Sequence, residues 1–235
     1  MTKGIIYYTD NRLEEPIFSI VQKQILKAGL PITSVSLGPI DFGKNFVLRL
    51  SPGYPTMVKQ ITKALEESES RYIFFCEHDV LYPLSHFDFT PAKDNIFYYN
   101  TNVWRWQYPK NRAITHNRLI SLSSLCVNRE FALGHYRRRL AKIEKEDWGN
   151  EEIKNPRLAR LWGYEPGTKK IKHGGFSDDD FETWESRDPI IDIRHGSTFS
   201  LKKVTFGAFR KIPANWREVT LDKIPGWNLD RLFNL

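Results

Sequence analysis

The sequence predicts an α/β protein with a mostly parallel central sheet flanked by helices. Three observations carry that expectation. Gly4–Tyr8, Pro16–Ala28 and Ile32–Leu37 read in turn as strand, helix and strand, the signature of a parallel pair joined by a crossover helix. Tyr72–Cys76 is a nearly unbroken apolar run, as expected of a strand buried on both faces. That run then stops on Glu77, His78 and Asp79, and polar groups at the end of a buried strand are costly unless they bind something.

The elements follow in order. Gly-Ile-Ile-Tyr-Tyr (Gly4–Tyr8) ends in Thr9-Asp10-Asn11, a turn-forming and helix-capping cluster. Ile17, Ile20, Val21, Ile25 and Leu26 recur at helical spacing, and Gly29 supplies the stop. Residues 38–54 hold Gly38, Pro39, Gly43, Pro52 and Gly53 and read as irregular, with a short strand possible at Phe46–Leu50. Pro55 suits the first turn of a helix, and Met57, Val58, Ile61 and Leu65 give it an apolar stripe ending near Ser68. The first eighty residues therefore read as a Rossmann-like nucleotide-binding half, without a Gly-x-Gly-x-x-Gly fingerprint. Beyond Pro83, Asn95–Tyr99 and Ser121–Val127 are strand candidates, Asn100–Pro109 a polar, aromatic loop or edge strand, and Arg129–Glu146 a helix. Residues 149–175 read as loops and short helices. Ile190–Ile193 is a short apolar strand ending in Arg194-His195-Gly196, and residues from about 201 form a tail over the body. One domain is expected over 1–235: a nucleotide-sugar-sized half at 1–100, a second half at 101–200 and the tail at 201–235.

Composition bounds the function. The chain has 235 residues, 40% apolar, with a net charge of +7. That balance favours an anionic partner such as a nucleotide, a nucleic acid or an acidic surface, although the charge is dispersed apart from Arg137-Arg138-Arg139 and Lys169-Lys170-Ile171-Lys172. The two cysteines, Cys76 and Cys126, lie inside apolar runs and read as core residues, with no zinc spacing and no disulfide framework. Met1 leads straight into a strand pattern, and no apolar stretch reaches the roughly 18 residues of a membrane span. The expected setting is cytoplasmic.

Three clusters bear chemistry. In an extended strand Glu77 and Asp79 share one side at roughly 6.5–7 Å while His78 points away, or is freed where the strand ends. Carboxylate oxygens suit Mg²⁺ or Mn²⁺, and an imidazole shifts preference toward Mn²⁺. The competing reading is a turn cap, with Asp79 accepting from backbone N–H groups. Asp192-Ile-Arg-His195 repeats the pattern of an apolar strand ending in charge, and His195 is a candidate to close the metal shell. Gly174-Gly-Phe-Ser-Asp-Asp-Asp-Phe places Asp178, Asp179 and Asp180 after two glycines. One of them is a candidate general base tuned upward by its neighbours, or the cluster is the acidic first turn of a helix. No nucleophile elbow, P-loop or zinc helix motif is present.

A Rossmann-like half, a strand ending in Glu77-His78-Asp79, an aromatic second half, a second acidic cluster and a late His together resemble the GT-A fold glycosyltransferases, of the family 2 type. The resemblance implies that Asp79 binds a metal and the diphosphate of a sugar nucleotide, UDP-sugars being favoured, with Glu77 on the ribose or a metal-bound water. Here Glu77 stands where the family's motif begins with Asp. The resemblance further implies that Tyr8, Thr9 and Asp10 hold the nucleoside beside Glu77, His78 and Asp79. His195 would complete the metal site with Mn²⁺ or Mg²⁺. Asp178, Asp179 or Asp180 would take the acceptor proton in an inverting hexosyl or pentosyl transfer. The tail from Leu201 has no counterpart.

For the acceptor, Trp104, Arg105, Trp106, Tyr108, Lys110, Arg112 and His116 interleave aromatic and basic residues. They could clamp a glycan or glycolipid, or a hydroxylated base in DNA. Two rival classes stand beside this one: a metal-dependent phosphoester hydrolase or nucleotidyltransferase using the same acid cluster, and a non-catalytic nucleic-acid-binding domain, whose salt-dependent binding would not need Glu77 or Asp79.

Overall fold

The computed structural model describes residues 1–117, 119–145, 165–168, 180–196, 198, 203–209 and 213–234. The chain opens β1 (Lys3–Thr9), α1 (Ile17–Leu26), β2 (Ile32–Ser36), β3 (Lys44–Val47), α2 (Tyr54–Glu67) and β4 (Tyr72–Glu77). It continues with β5 (Val80–Leu81), α3 (Leu84–Phe87), β6 (Ile96–Asn100), β7 (Val103–Trp106), β8 (Ala113–Thr115), β9 (Leu125–Asn128) and α4 (Arg129–Lys145). Then come β10 (Asp180–Trp184), β11 (Ile190–Ile193), β12 (Arg217–Val219) and α5 (Leu229–Phe233).

The central sheet has the order β10-β6-β9-β4-β1-β2-β3. β1, β2, β3 and β4 are parallel. β9 alone among these strands is reversed, antiparallel to both β4 and β6, and β10 runs parallel to β6. This is the helix-flanked, largely parallel α/β sheet expected of a GT-A type fold. Side chains alternate across it, as the two-residue period of a strand requires. Ile5, Tyr7, Phe74 and Cys76 pack on one face with Ile17, Val21 and Ile25 of α1. Ile6, Tyr8, Ile73 and Phe75 pack on the other with Val58, Ile61 and Leu65 of α2 and Ala132, Leu133 and Tyr136 of α4. Val21 and Ile25 sit one helical turn apart on α1, fully buried, and each stabilises by about 1.5–3 kcal/mol. Both cysteines are buried and free.

A second sheet, β12-β8-β7-β11-β5, was not anticipated. Asn100–Pro109, expected as a loop or edge strand, contains β7, an interior strand between β8 and β11. Val103, Trp104 and Trp106 join the same core as α1. In the C-terminal segment β12 pairs with β8, and Phe233 packs its ring edge-on to Trp106 at 4.8 Å. No helix among the described residues is long and apolar enough to cross a membrane.

Candidate functional site

The two sheets meet at the carboxyl end of β4, and the junction builds the site. Tyr8 and Glu77 are register partners on β1 and β4, so their side chains share a face, and the Tyr8 hydroxyl donates to Glu77 Oε1 at 2.6 Å. The strand ends there. His78 and Asp79 form a turn, which breaks the alternation that would have set Glu77 and Asp79 on one side. Val80 then pairs with Asp192 on β11, and the Ile193 amide donates to the Asp79 carbonyl at 3.0 Å. That pairing carries His195, which lies 116 residues from Asp79, to within 3.3 Å (Nε2 to Asp79 Oδ2).

One ligand atom from each of His78, Asp79 and His195 lies within 4.8 Å of the others. Two imidazoles and a carboxylate suit a borderline divalent ion better than Mg²⁺, which prefers oxygen donors. The residues present therefore form a group that could hold a divalent metal ion. The His78 ring is held from behind: Thr9 Oγ1 lies 2.6 Å from its Nδ1, while the Asn11 amide donates to the same oxygen at 3.1 Å. A Thr9 oxygen accepting from Nδ1–H leaves the Nε2 lone pair for a cation, the outer-shell arrangement that metal-binding histidines use. Asp10 Oδ1 lies 4.0 Å from Nδ1, while Asp10 Oδ2 is paired with Arg12 at 2.9 Å.

Electrostatics separate the two carboxyls. Burial, and then the nearby Asp79 charge, push Glu77 up to about 8, partly offset by the Tyr8 hydrogen bond. Burial acts on Asp79 in the same direction, but the His195 hydrogen bond and the electrostatic influence of the neighbouring His78 and Arg194 outweigh it and hold Asp79 below its usual value. The same surroundings thus shift the two carboxyls in opposite directions, Glu77 upward and Asp79 downward.

Three residues that sequence reasoning passed over shape this site. Gln60, buried on α2, donates from Nε2 to the carbonyls of Thr9 at 2.8 Å and Val35 at 3.1 Å, tying the ends of β1 and β2 together. The Tyr82 hydroxyl accepts from the Glu77 amide at 3.0 Å. Arg194 forms a short ion pair with Asp192, and its charge reaches both Glu77 and Asp79. A signal for Arg194 was available, because Asp192 and Arg194 share one face of a strand whose next residue is His195.

The acidic cluster behaves differently. Asp178 and Asp179 lie outside the described residues. Asp180 opens a strand, β10, where a helix start was one expectation. Its register partner is Ile96. Tyr98 pairs with Cys126 and Cys126 with Phe74, so Ile96, two residues before Tyr98, is level with Tyr72, two before Phe74. At ~3.3 Å per residue and ~4.8 Å per strand, Asp180 stands on the order of 20 Å from Glu77, at the opposite end of the sheet. The structure does not bring Asp180 to the metal cluster.

No family model matches the chain, and no curated protein matches it. Solved structures similar to it include the bifunctional IspDF from Campylobacter jejuni, at 10% identity and a TM-score of 0.42, over 80% of this chain and 50% of that one. A glycosyltransferase involved in glycosylation of the major capsid of PBCV-1 is also 10% identical, with a TM-score of 0.43, over 79% of this chain and 82% of that one. The glycosyltransferase GlyE of Streptococcus pneumoniae matches at 10% identity and a TM-score of 0.41, over 68% of this chain. The chain spans half the length of IspDF and 44% of that of GlyE. With TM-scores below 0.5, neither the fold nor the activity rests on these likenesses.

Proposed function

We propose that the chain is a metal-dependent glycosyltransferase that moves a sugar from a nucleoside-diphosphate sugar, UDP-linked by preference, to an acceptor hydroxyl of a glycan or glycolipid. One observation carries the reading: His78, Asp79 and His195 converge at the carboxyl end of a parallel strand, beside Thr9 and Asp10 at the end of the neighbouring strand. That edge of an open α/β sheet is where ligands sit. His78, Asp79 and His195 would hold the cation, which supplies charge neutralisation for a departing diphosphate.

The remaining roles belong to the chain's own residues. Thr9 sets the His78 tautomer, and Gln60 holds Thr9 in place. Asp10, with Thr9 and Tyr8, borders the space for the nucleoside. Glu77, kept largely neutral and bonded to Tyr8, adds no second negative charge where a diphosphate would bind. For the acceptor proton we assign no base among the described aspartates, since Asp180 is remote; Asp178 and Asp179 remain proposals for an inverting transfer.

The test is a melting-temperature screen of nucleoside diphosphates and sugar nucleotides with Mn²⁺, Mg²⁺ or neither, followed by turnover. The expected result is a Mn²⁺-dependent shift with a uridine diphosphate, and release of that diphosphate from its sugar nucleotide. Asp79→Asn should remove both without unfolding the protein. Release of monophosphate or pyrophosphate instead would establish phosphoester chemistry, and full turnover by Asp79→Asn would sink the proposal.

A further inference from the structure

The acceptor half holds a second cluster of polar atoms with unmet hydrogen bonds. β7 alternates: Trp104 and Trp106 turn into the core, so Arg105 between them turns to the opposite face. Asp192 on β11 is its register partner and shares that face. Asp192 Oδ2 is engaged by Arg194 in the closer pair. Arg105 Nε lies 3.5 Å from the same oxygen, and its Nη1 is 3.5 Å from the Lys203 carbonyl. A guanidinium offers five donors. Here it is 13% exposed and ion-paired with Asp192 at that long distance, and among the described residues its Nε has no partner within hydrogen-bond geometry.

His116 is close enough for the charges of Arg105 and Lys203 to act on it. Its Nδ1 faces the Asn117 carbonyl at 2.9 Å, so Nδ1 carries the proton and Nε2 keeps a lone pair. Among the described residues that buried Nε2 has no hydrogen-bond partner. Trp216 stacks on His116, the rings 6.1 Å apart and 6° from parallel, and among the described residues its buried indole N–H also has no hydrogen-bond partner. Phe206 and Phe209 pack on Trp216 at 4.5 and 5.5 Å, Lys203 Nζ sits 5.7 Å over Phe209, and Phe206 is 45% exposed. Buried polar atoms are rarely left unpaired. Three of them in one patch, beside an exposed aromatic ring, call for a ligand that pairs them.

We propose that this patch is an acceptor subsite for an anionic sugar: an acidic oxygen on Arg105, a hydroxyl donating to His116 Nε2, and a ring oxygen or hydroxyl accepting from the Trp216 indole. The inference rests on the glycosyl-transfer reading and specifies its acceptor class. In the sheet, Arg105 is two strands from Val80, which follows Asp79, so about 10 Å separates the two backbones. A nucleic-acid strand fits less well. It is bound by a track of surface cations, whereas this patch has one sunken guanidinium.

The experiment is equilibrium binding by titration calorimetry to the full chain with Mn²⁺ and uridine diphosphate present. Four probes are compared: a neutral trisaccharide, the same trisaccharide ending in a uronic acid, its terminal 6-phosphate, and an oligothymidylate. The acidic saccharides should bind at least about tenfold more tightly than the neutral one, as expected of a hydrogen bond to a charged group; the tighter of the two names the acid. Arg105→Gln should bring acidic and neutral probes within about twofold, and Arg105→Lys should restore part of the gap. Equal binding of acidic and neutral saccharides to the wild type overturns the proposal, as does an acid preference that survives Arg105→Gln, or oligothymidylate outbinding both acidic probes. The wild-type comparison stands even if a variant fails to fold. Melting shifts with Mn²⁺ and uridine diphosphate, measured alongside, report on the donor site, so a silent donor site is distinguishable from a silent acceptor patch.

Discussion

Mild acid should destabilise this protein through His86, a residue away from the metal cluster. His86 on α3 is fully buried. It stacks against Trp184 at 5.6 Å and meets the rings of Phe74 and Phe87 at 5.1 Å each. Asn100 Nδ2 lies 3.1 Å from its Nδ1. The Nδ2 donors are directed at this ring and at Ser186 Oγ, so Nδ1 accepts and the neutral ring carries its proton on Nε2. Burial depresses the group from 6.5 to about 3. The sign follows from linkage. Below pH 6.5 the unfolded chain takes up a proton that the folded chain refuses, so stability is full above 6.5 and falls as pH drops toward 3. A gap of about 3.5 units is worth about 5 kcal/mol at its floor and about 2 kcal/mol at pH 5. Glu77 acts oppositely: with its folded value raised, its contribution is full below its unfolded value of 4.5 and is lost as pH rises through about 8. The clean measurement is therefore a difference. Urea unfolding of metal-free wild type and of His86→Phe at pH 7.5 and pH 5.0 should show the variant less acid-sensitive by about 2 kcal/mol, a midpoint change on the order of 1 M. Equal pH sensitivity in the two proteins would refute the assignment of a sealed, neutral imidazole.

Two further substitutions probe the frame of the site. Gln60→Leu leaves the Thr9 and Val35 carbonyls without a donor inside the core. It should cost about 2–4 kcal/mol in urea unfolding and weaken uridine diphosphate binding, with Gln60→Asn restoring neither, because its amide is one methylene short. Trp106→Ala empties a fully buried indole that backs the β7 face and contacts Phe233, and should cost about 3–5 kcal/mol; a loss under 1 kcal/mol would show that the second sheet does not depend on this anchor.

Much of the first half of the chain could be read in one dimension because its signals are local. The apolar runs of β1 and β4, the helical stripe of α1 and the polar stop at Glu77-His78-Asp79 each need only a few neighbouring residues to be recognised. The second half resisted for the opposite reason. Val103-Trp104-Arg105-Trp106 alternates polar and apolar no differently from an exposed edge strand, and only the sheet it joins decides that its two tryptophans are core. With those rings buried, Trp104 and Trp106 drop out of the expected aromatic clamp. Asp180 follows the same rule: its composition suited a helix start, but its place is set by pairing with β6 across the sheet.

What the sequence determined by itself was the chemistry at the end of β4, because an apolar strand that terminates in Glu, His and Asp carries its polarity with it wherever it folds. What the tertiary structure alone decided was which of those groups act together. The turn after Glu77 breaks the strand alternation and the antiparallel pairing of Val80 with Asp192 draws in His195, so the cluster is His78, Asp79 and His195, while Glu77 pairs with Tyr8. That choice depends on hydrogen-bond register between segments more than a hundred residues apart, information that no local pattern contains.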